Sequence, residues 1–283
     1  MNRGVINSSI PAAIGAWRSR TREPSEAGKR RLLSRRGEPL LVADWERALF
    51  LHFEVDPERL QPHVPFELDL LENRRAFVSL VAFTMRGMRP RLGGKAGALL
   101  FTPIATHPFL NVRTYVRHED EPGIHFLTEW LPNRIACLLG PTVFGLPYQF
   151  GNTDYRHHHE RGSLSGRVCG EKGDCLLKYE GTTPPHFAPS PCAKDSLDEF
   201  LTERYTAFTA RRRQRGFFRV WHEPWSLCRP RITLHRLSVL DEAPGGSDWA
   251  AGAAFSAAHY SPGANDVWMG RHHPIPPCEF SPS

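Results

Sequence analysis

One segment in the middle of the chain, NVRTYVR (111–117), carries residue types that can bind a carboxylate. Successive side chains of a β-strand point to opposite faces, so the Val and Thr residues between the polar ones would face the core. The polar face then carries Asn111, Arg113, Tyr115 and Arg117. A guanidinium group offers a planar fork of donors, and a phenol adds another. This face either lines a polar cavity or lies in structural pairs on the surface, and we favour the cavity.

A second segment, TVFGLPYQFG (142–151), places a Gly, one apolar residue and a Pro directly before Tyr148 and Gln149. Gly and Pro are the residues that most strongly reorient a chain. We expect this elbow to bring the two side chains to the mouth of a pocket, where both can form hydrogen bonds.

Three other polar segments are better explained by structural roles than by a metal, anion or phosphate site. In DYRHHHE (154–160) strand alternation keeps the three His side chains from converging, so we predict no metal site. The run RRRQR (211–215) predicts a solvated hairpin turn, with contact to an anionic partner as the alternative. RLGGKAG (91–97) lacks the spacing of a phosphate-binding loop and predicts a flexible loop.

The basic charge of the chain comes from its N-terminus. Residues 1–40 contain nine Lys and Arg against three Glu, which equals the whole net charge of +6. The remaining residues are electrically balanced and give no reason to expect a nucleic-acid-binding face. We predict that residues 1–40 are a disordered tail, with an organelle-targeting segment or a misplaced start codon as the alternatives.

The sequence also indicates where in the cell the protein is expected. The chain has no apolar run of 18 residues and no signal-peptide core, so we expect neither a membrane span nor secretion. Its six cysteines form no C-x-x-C pair. We therefore expect reduced thiols in a cytoplasmic protein.

Strands dominate the predicted secondary structure. Segments rich in β-branched and aromatic residues occur at 47–55, 75–88, 109–118, 123–131, 217–225, 231–240 and 253–261. Short helices are predicted at 56–64, 133–140 and 196–205, each with a polar capping residue, and HEDEPG (118–123) predicts a hairpin turn. These elements indicate a β-rich α+β domain over 41–271, an antiparallel sheet curled into a barrel or cone, followed by a Pro-rich end at 272–283.

Seven short motifs now indicate a family. WERALFLHFEVDPERLQPHVP (45–65), NVRTYV (111–116), PGIHF (122–126), GLPY (145–148), FLTERY (200–205), HEPW (222–225) and HYSPG (259–263) follow one another in that order. The chain resembles the YqjF-like family, domain of unknown function 2071, over about residues 40 to 270. That family is similar in fold to acetoacetate decarboxylase, whose antiparallel sheet closes into a cone around a small-molecule cavity. The resemblance implies the same architecture here.

The resemblance also implies that one reaction is absent. Acetoacetate decarboxylases carry a Pro followed by two Lys, and the second Lys forms a Schiff base with the substrate. Here Pro147 is followed by Tyr148 and Gln149, and the next lysine along the chain is Lys172. Neither replacement can form an imine, so we predict that the protein is not a Schiff-base decarboxylase.

Strand alternation and the resemblance together suggest site residues. Arg113 would bind an anion, Tyr115 and Tyr148 would donate hydrogen bonds, and Asn111 and Gln149 would assist them. His52 and Glu129 would transfer protons if the protein is an enzyme. We expect a small organic acid or carbonyl compound as ligand, no cofactor, no nucleic-acid or membrane partner, and assembly into a homo-oligomer as in related barrels. A non-catalytic binding protein that kept the cavity is the alternative to an enzyme.

Overall fold

The computed structural model describes residues 23–211 and 214–276, and every structural statement below concerns these residues. In chain order the strands are β1 (Leu41–Val55), β2 (Glu67–Leu68), β3 (Ala76–Pro90), β4 (His107–His118), β5 (Glu121–Leu131), β6 (Tyr148–Phe150), β7 (Asn152–His158), β8 (Ser163–Cys169), β9 (Cys175–Thr182), β10 (Thr206–Arg211), β11 (Gln214–Trp221), β12 (Arg231–Arg236), β13 (Ala254–Met269) and β14 (His273–Ile275). The helices are α1 (Glu23–Leu33), α2 (Pro57–Leu60), α3 (Gly94–Phe101), α4 (Arg134–Val143), α5 (Leu197–Thr202) and α6 (Gly246–Trp249). The fold is therefore mainly β with a few short helices.

Hydrogen-bonded strands of the large sheet form a closed ring. Ten strands belong to this sheet, and seven of them form a ring in the order β4-β3-β1-β13-β11-β10-β5, with β5 pairing back onto β4. Within the ring, neighbouring strands are antiparallel except β10 and β5, and outside the ring β6 also pairs with β5 in parallel. The strands β7, β8, β9 and β12 form a second, four-stranded antiparallel sheet.

Both faces of the central strands are buried, which explains their nearly continuous apolar sequences. On one face, Leu51 of β1, Leu80 of β3 and Val112 of β4 pack with Val168 and Leu177 of the four-stranded sheet. On the other face, alternate residues of the same strands form two further apolar clusters. The second face is the one that positions the candidate site.

Capping residues begin three helices where the sequence predicts them. Asp56 accepts a hydrogen bond from the amide of Glu58, Asn133 from Ala136 and Ser196 from Glu199. The predicted helix at 196–205 ends at Thr202, and the hairpin turn between β4 and β5 lies at Glu119 and Asp120. Each cap satisfies an amide that the first helical turn leaves without a partner.

The expectation of a disordered tail is wrong for residues 23–40. The helix α1 lies on β11, where Leu32 packs with Tyr205 and Trp221 in a small apolar cluster. Ser25 accepts a hydrogen bond from the indole of Trp221, and the Lys29 ammonium lies 4.1 Å from the centre of that ring. Apolar burial and a cation–π contact thus compensate the entropy of ordering this segment. Residues 1–22 lie outside the described part.

Three more predictions on local segments have mixed outcomes. The expected flexible loop at 91–97 is corrected, because residues from Gly94 onward form the helix α3. The strands β10 and β11 are antiparallel, with Arg211 paired to Gln214, and the predicted hairpin turn of RRRQR falls on Arg212 and Arg213, which lie outside the described residues. Of the Pro-rich end, residues 273–275 form β14 on β11, and residues 277–283 lie outside the described part.

Candidate functional site

A cavity of about 480 Å³ lies against the inner face of the sheet ring. Its walls come from strands of the ring and from α3 and α4, and most of its lining side chains are aliphatic or aromatic. The polar side chains that line it include Asn111, Arg113, Glu129, Tyr148, His107, Arg204 and His222. A mainly apolar cavity of this size with a few convergent polar groups is typical of small-molecule sites.

Strand register brings three of the predicted site residues into one row. Asn111 of β4 is opposite Glu129 of β5, and Glu129 is in turn opposite Tyr148 of β6. Side chains that are opposite each other in a sheet lie on the same face, so all three reach the cavity. A hydrogen bond also holds the elbow before β6 against β5, because the amide of Glu129 donates to the carbonyl of Pro147 at 3.1 Å.

Two polar atoms of this row lack partners among the described residues. The Oε2 atom of Glu129 and the Oδ1 atom of Asn111 are buried without a hydrogen bond. Burial raises the pKa of the Glu129 carboxyl well above its ordinary value, which favours the neutral, protonated acid. Burial, followed by the neighbouring Glu129 and Cys137, also raises the pKa of the Tyr148 phenol. Unsatisfied buried polar groups are rare in native proteins, and these two atoms are free to bond a molecule in the cavity.

Arg113 is a buried cation without a carboxylate partner. Its side chain lies on the same face of β4 as Asn111, two residues further along the strand, and the residue is 8% exposed. One of its terminal nitrogens, Nη2, donates a 3.1 Å hydrogen bond to the carbonyl of Leu201, while Nε is buried without a partner. Among the described residues, no carboxylate oxygen lies within 4.0 Å of this guanidinium. An anionic ligand would compensate the buried charge.

His52 lies beneath the cavity and does not line it. Its Nδ1 is 2.6 Å from the Ser79 hydroxyl, and its Nε2 is 3.0 Å from Nδ1 of His259. The Ser79 hydroxyl is in turn 2.6 Å from the Tyr115 hydroxyl, which donates to the carbonyl of Leu201 at 2.7 Å. Burial lowers the pKa of the His52 imidazole well below its ordinary value. His52 is therefore a neutral member of a buried hydrogen-bond chain.

The hydrogen count of this chain fixes its direction. Tyr115 has one hydrogen, which Leu201 receives, so Ser79 must donate to Tyr115 and accept from Nδ1 of His52. Nε2 of His52 then accepts from His259, whose other nitrogen lies 3.1 Å from a carboxylate oxygen of Asp198.

Gln149 does not face the cavity. It follows Tyr148 directly in β6, and strand alternation turns its exposed side chain away from the site. Tyr115 shares the face of Asn111 and Arg113, as the alternation predicts, but it lies below the cavity with its hydroxyl already bonded. Four of the seven predicted site residues thus line the cavity: Asn111, Arg113, Glu129 and Tyr148.

The sequence interpretation misses His107, Arg204 and His222, which line the cavity. His107 lies on the same face as Asn111, but the predicted strand begins at residue 109, two residues too late to include it. Burial lowers the pKa of the His107 imidazole to about 4, and both of its ring nitrogens lack partners. Arg204 lies in the FLTERY motif and His222 in the HEPW motif. These motifs indicated the family, but they did not indicate that the two residues line the cavity.

The histidine cluster at 157–159 serves the packing of the protein. Nδ1 of His157 bonds the carbonyl of Arg47 and its Nε2 bonds the Tyr179 hydroxyl, each at 2.7 Å, while His158 is exposed. Within residues 23–211 and 214–276, no group of three or more His, Cys, Asp or Glu side chains has the geometry of a metal site. In the same ranges no helix is long and apolar enough to cross a membrane.

Solved structures with the same fold define the class of protein. An acetoacetate decarboxylase from Legionella pneumophila superimposes with a TM-score of 0.59 at 12% identity, covering 84% of this chain and 87% of that one. An acetoacetate decarboxylase-like enzyme from Sphingomonas wittichii RW1 gives 0.56 at 15% identity over 84% and 94% of the two chains. The enduracididine biosynthesis enzyme MppR, complexed with pyruvate, gives 0.57 at 11% identity over 85% and 92%. The fold is thus acetoacetate decarboxylase-like.

Sequence comparison identifies the family. The profile of DUF2071, described as an uncharacterized conserved protein, matches residues 42–265. The uncharacterized protein YqjF of Bacillus subtilis (strain 168) is 34% identical over 185 residues, which are 65% of this chain and 73% of that protein. The chain belongs to the DUF2071 family, as its motifs predict.

Proposed function

We propose that the protein binds an organic carboxylate or carbonyl compound in the cavity, and that the ring of strands closes around this ligand as a cone. The observation that carries the proposal is Arg113, a buried guanidinium that lines the cavity without a carboxylate partner. A carboxylate at this position would accept charge-assisted hydrogen bonds, which are about twice as strong as neutral ones. The pyruvate complex of MppR supports the choice of ligand class.

The ligand would bind without a Schiff base. The five lysines of the chain all lie in the described part, and none of them lines the cavity: Lys29, Lys95, Lys172, Lys178 and Lys194. Tyr148 and the protonated carboxyl of Glu129 would instead donate hydrogen bonds to a carbonyl oxygen of the ligand. Borohydride treatment in the presence of pyruvate or acetoacetate should therefore add no mass to any lysine. A reduced lysine adduct would contradict the absence of an imine.

Thermal-shift measurements with 2-oxo acids and simple carboxylic acids at pH 7 test the binding proposal. We expect the acids to raise the Tm of the wild type and to leave the Tm of Arg113→Gln unchanged. Arg89→Gln is the matched control, because Arg89 is a half-exposed arginine of β3 that pairs with Asp266 outside the cavity. An equal response of Arg113→Gln and the wild type would refute the proposal.

Proton transfer to the bound ligand is a second candidate function. Glu129 and His107 support it, because both line the cavity, both have unpartnered polar atoms, and burial shifts their pKa values in opposite directions. A neutral acid and a neutral imidazole in one site suit general acid–base catalysis on a carbonyl compound. Deuterium exchange next to the carbonyl of a 2-oxo acid in D₂O, followed by NMR, should be faster with the wild type than with Glu129→Gln. Binding without exchange would exclude this function and retain the non-catalytic one.

A further inference from the structure

We infer that the ligand is an aliphatic monocarboxylate of about ten carbons, bound with its carboxylate at Arg113 and its chain directed toward α3 and α4. This inference rests on the proposed function and specifies its ligand class. Three properties of the cavity carry it: the order of polar and apolar groups along β4, the volume, and the side chains at the opening.

The charged side chain lies at one end of the row on the inner face of β4, and uncharged side chains follow it. Arg113 lies at the end where α5 contacts it through the carbonyl of Leu201. Asn111 comes next, and Phe109 and His107 follow toward the end of the strand that α3 precedes. At Phe109 the wall becomes aromatic, since its ring stacks on Phe83 with centroids 5.4 Å apart. A ligand that matches this order has one charged end and an apolar body.

The cavity is too large for the small acids that the fold class suggests. At about 30 Å³ for each water-sized group, its volume of about 480 Å³ holds roughly 16 non-hydrogen atoms. Acetoacetate has about seven such atoms and decanoate about twelve, so only the larger acid fills most of the space. Because both Arg113 and His107 line the cavity, it follows about six residues of strand, roughly 20 Å. A cavity of this volume and length would accommodate a single alkyl chain.

The opening of the cavity is itself apolar. Leu139 and Val143 of α4 line the cavity and are 43% and 49% exposed, which places them where the cavity meets solvent. Leu138 on the same helix and Leu99 on α3 are more exposed still, at 74% and 73%, and neither lines the cavity. Such a concentration of exposed apolar side chains marks an interaction site on a soluble domain. The end of an alkyl chain would lie against Leu139 and Val143.

Calorimetry with acids of increasing length tests the inference on the full chain. Each added CH₂ that is buried should strengthen binding about fourfold, so even partial burial of the about six additional CH₂ groups should make decanoate bind at least about 100-fold more tightly than butanoate. Decanol should bind at least about tenfold more weakly than decanoate to the wild type, and Arg113→Gln should bind both alike.

A matched pair of variants tests where the chain lies. Leu139→Asp places a charge against the end of the chain and should weaken decanoate at least about tenfold while leaving butanoate unchanged. Leu138→Asp adds the same charge to the same helix outside the cavity and should change neither affinity. Equal weakening by both variants would overturn the predicted path of the chain.

The outcomes separate the inference from the proposed function. If butanoate binds as tightly as decanoate and both need Arg113, the chain inference is wrong and the proposed carboxylate site stands. If decanoate binds equally well to the wild type and Arg113→Gln, the proposed carboxylate site is wrong. If neither acid binds the wild type, both are overturned.

Discussion

Arg113 and Arg204 line the same cavity, but only Arg204 has a carboxylate partner. Nη1 of Arg204 lies 2.7 Å from an Asp69 oxygen, and both side chains are buried. The guanidinium of Arg113 meets the aromatic faces of Phe50 and Tyr115 and the backbone of Leu201. The charge of Arg204 is thus used in the structure of the protein, whereas that of Arg113 is available to a ligand.

Removing the two guanidinium groups should change stability in opposite directions. Arg113→Met removes an uncompensated buried charge and should raise the free energy of unfolding of the ligand-free protein by about 1 to 3 kcal/mol. Arg204→Met leaves Asp69 with only its half-exposed partner Arg117 and should cost about 3 to 5 kcal/mol. Urea unfolding of the two variants measures both changes. Destabilisation of similar size in both would mean that Arg113 has a structural partner of its own.

Glu129 should make the protein less stable as the pH rises. Its pKa is raised in the folded state, so above the unfolded pKa of about 4.5 the folded state holds a proton that the unfolded state has lost. Stability then falls by up to about 1.4 kcal/mol per pH unit until the pH reaches the folded pKa. Glu129→Gln keeps a neutral group of the same shape, so its stability relative to the wild type should increase from pH 5 to pH 8.

Glu121→Gln is the control for this pH dependence. The guanidinium of Arg219 and the hydroxyl of Thr206 offset burial and hold the pKa of Glu121 below its ordinary value. The stabilisation that Glu121 contributes is present above the unfolded pKa and is lost only as the pH falls through the folded pKa. Between pH 5 and pH 8 its difference from the wild type should therefore stay constant. A constant difference for Glu129→Gln as well would mean that Glu129 is ionised in the folded protein.

His107 should make the protein sensitive to acid. Its folded pKa of about 4 lies below the unfolded value of about 6.5, so in this interval the unfolded state binds a proton that the folded state does not. Stability is lost as the pH falls from 6.5 to 4. His107→Leu should reduce this loss by up to about 1.4 kcal/mol per pH unit, measured by urea unfolding at several pH values. The same slope in His107→Leu and in the wild type would show that His107 does not cause the loss.

The sequence reveals the parts of the fold and the site that follow from local periodicity. Strand alternation places Asn111 and Arg113 on one face because side-chain direction in a strand depends only on residue parity. The same rule would have separated Gln149 from Tyr148, had the elbow been treated as the start of a strand. Periodicity carries no information on which strands pair, so it could not bring Glu129 next to Asn111 or give Arg204 its partner Asp69.

The irregularities of the structure are also hidden from the sequence. The pairing of β4 with β5 shifts by one residue between Val112 and Arg113, so Phe126 and Glu129 both reach the cavity although they are three residues apart. The helix α1 was missed because the basic residues of the N-terminus dominate its composition, whereas the buried side chains that fasten it, such as Leu32, are few.

Substitutions at Gly140 and Tyr148 should have non-additive effects on stability, because a side chain at position 140 would overlap the Tyr148 ring. A Cβ atom at Gly140 would lie 2.2 Å from Cε2 and 2.4 Å from Cδ2 of the Tyr148 ring, so Gly140→Ala must displace the ring that the elbow brings to the cavity. Such overpacking should cost about 1 to 3 kcal/mol of unfolding free energy, although Ala is the better helix former. In a Tyr148→Ala background the clash is absent, and Gly140→Ala should be neutral or stabilising by up to about 1 kcal/mol. The double-mutant cycle, measured by urea unfolding, should thus give a coupling of at least about 1 kcal/mol. Additive effects would show that Tyr148 does not pack on α4 in solution and would remove it from the row of residues that lines the cavity.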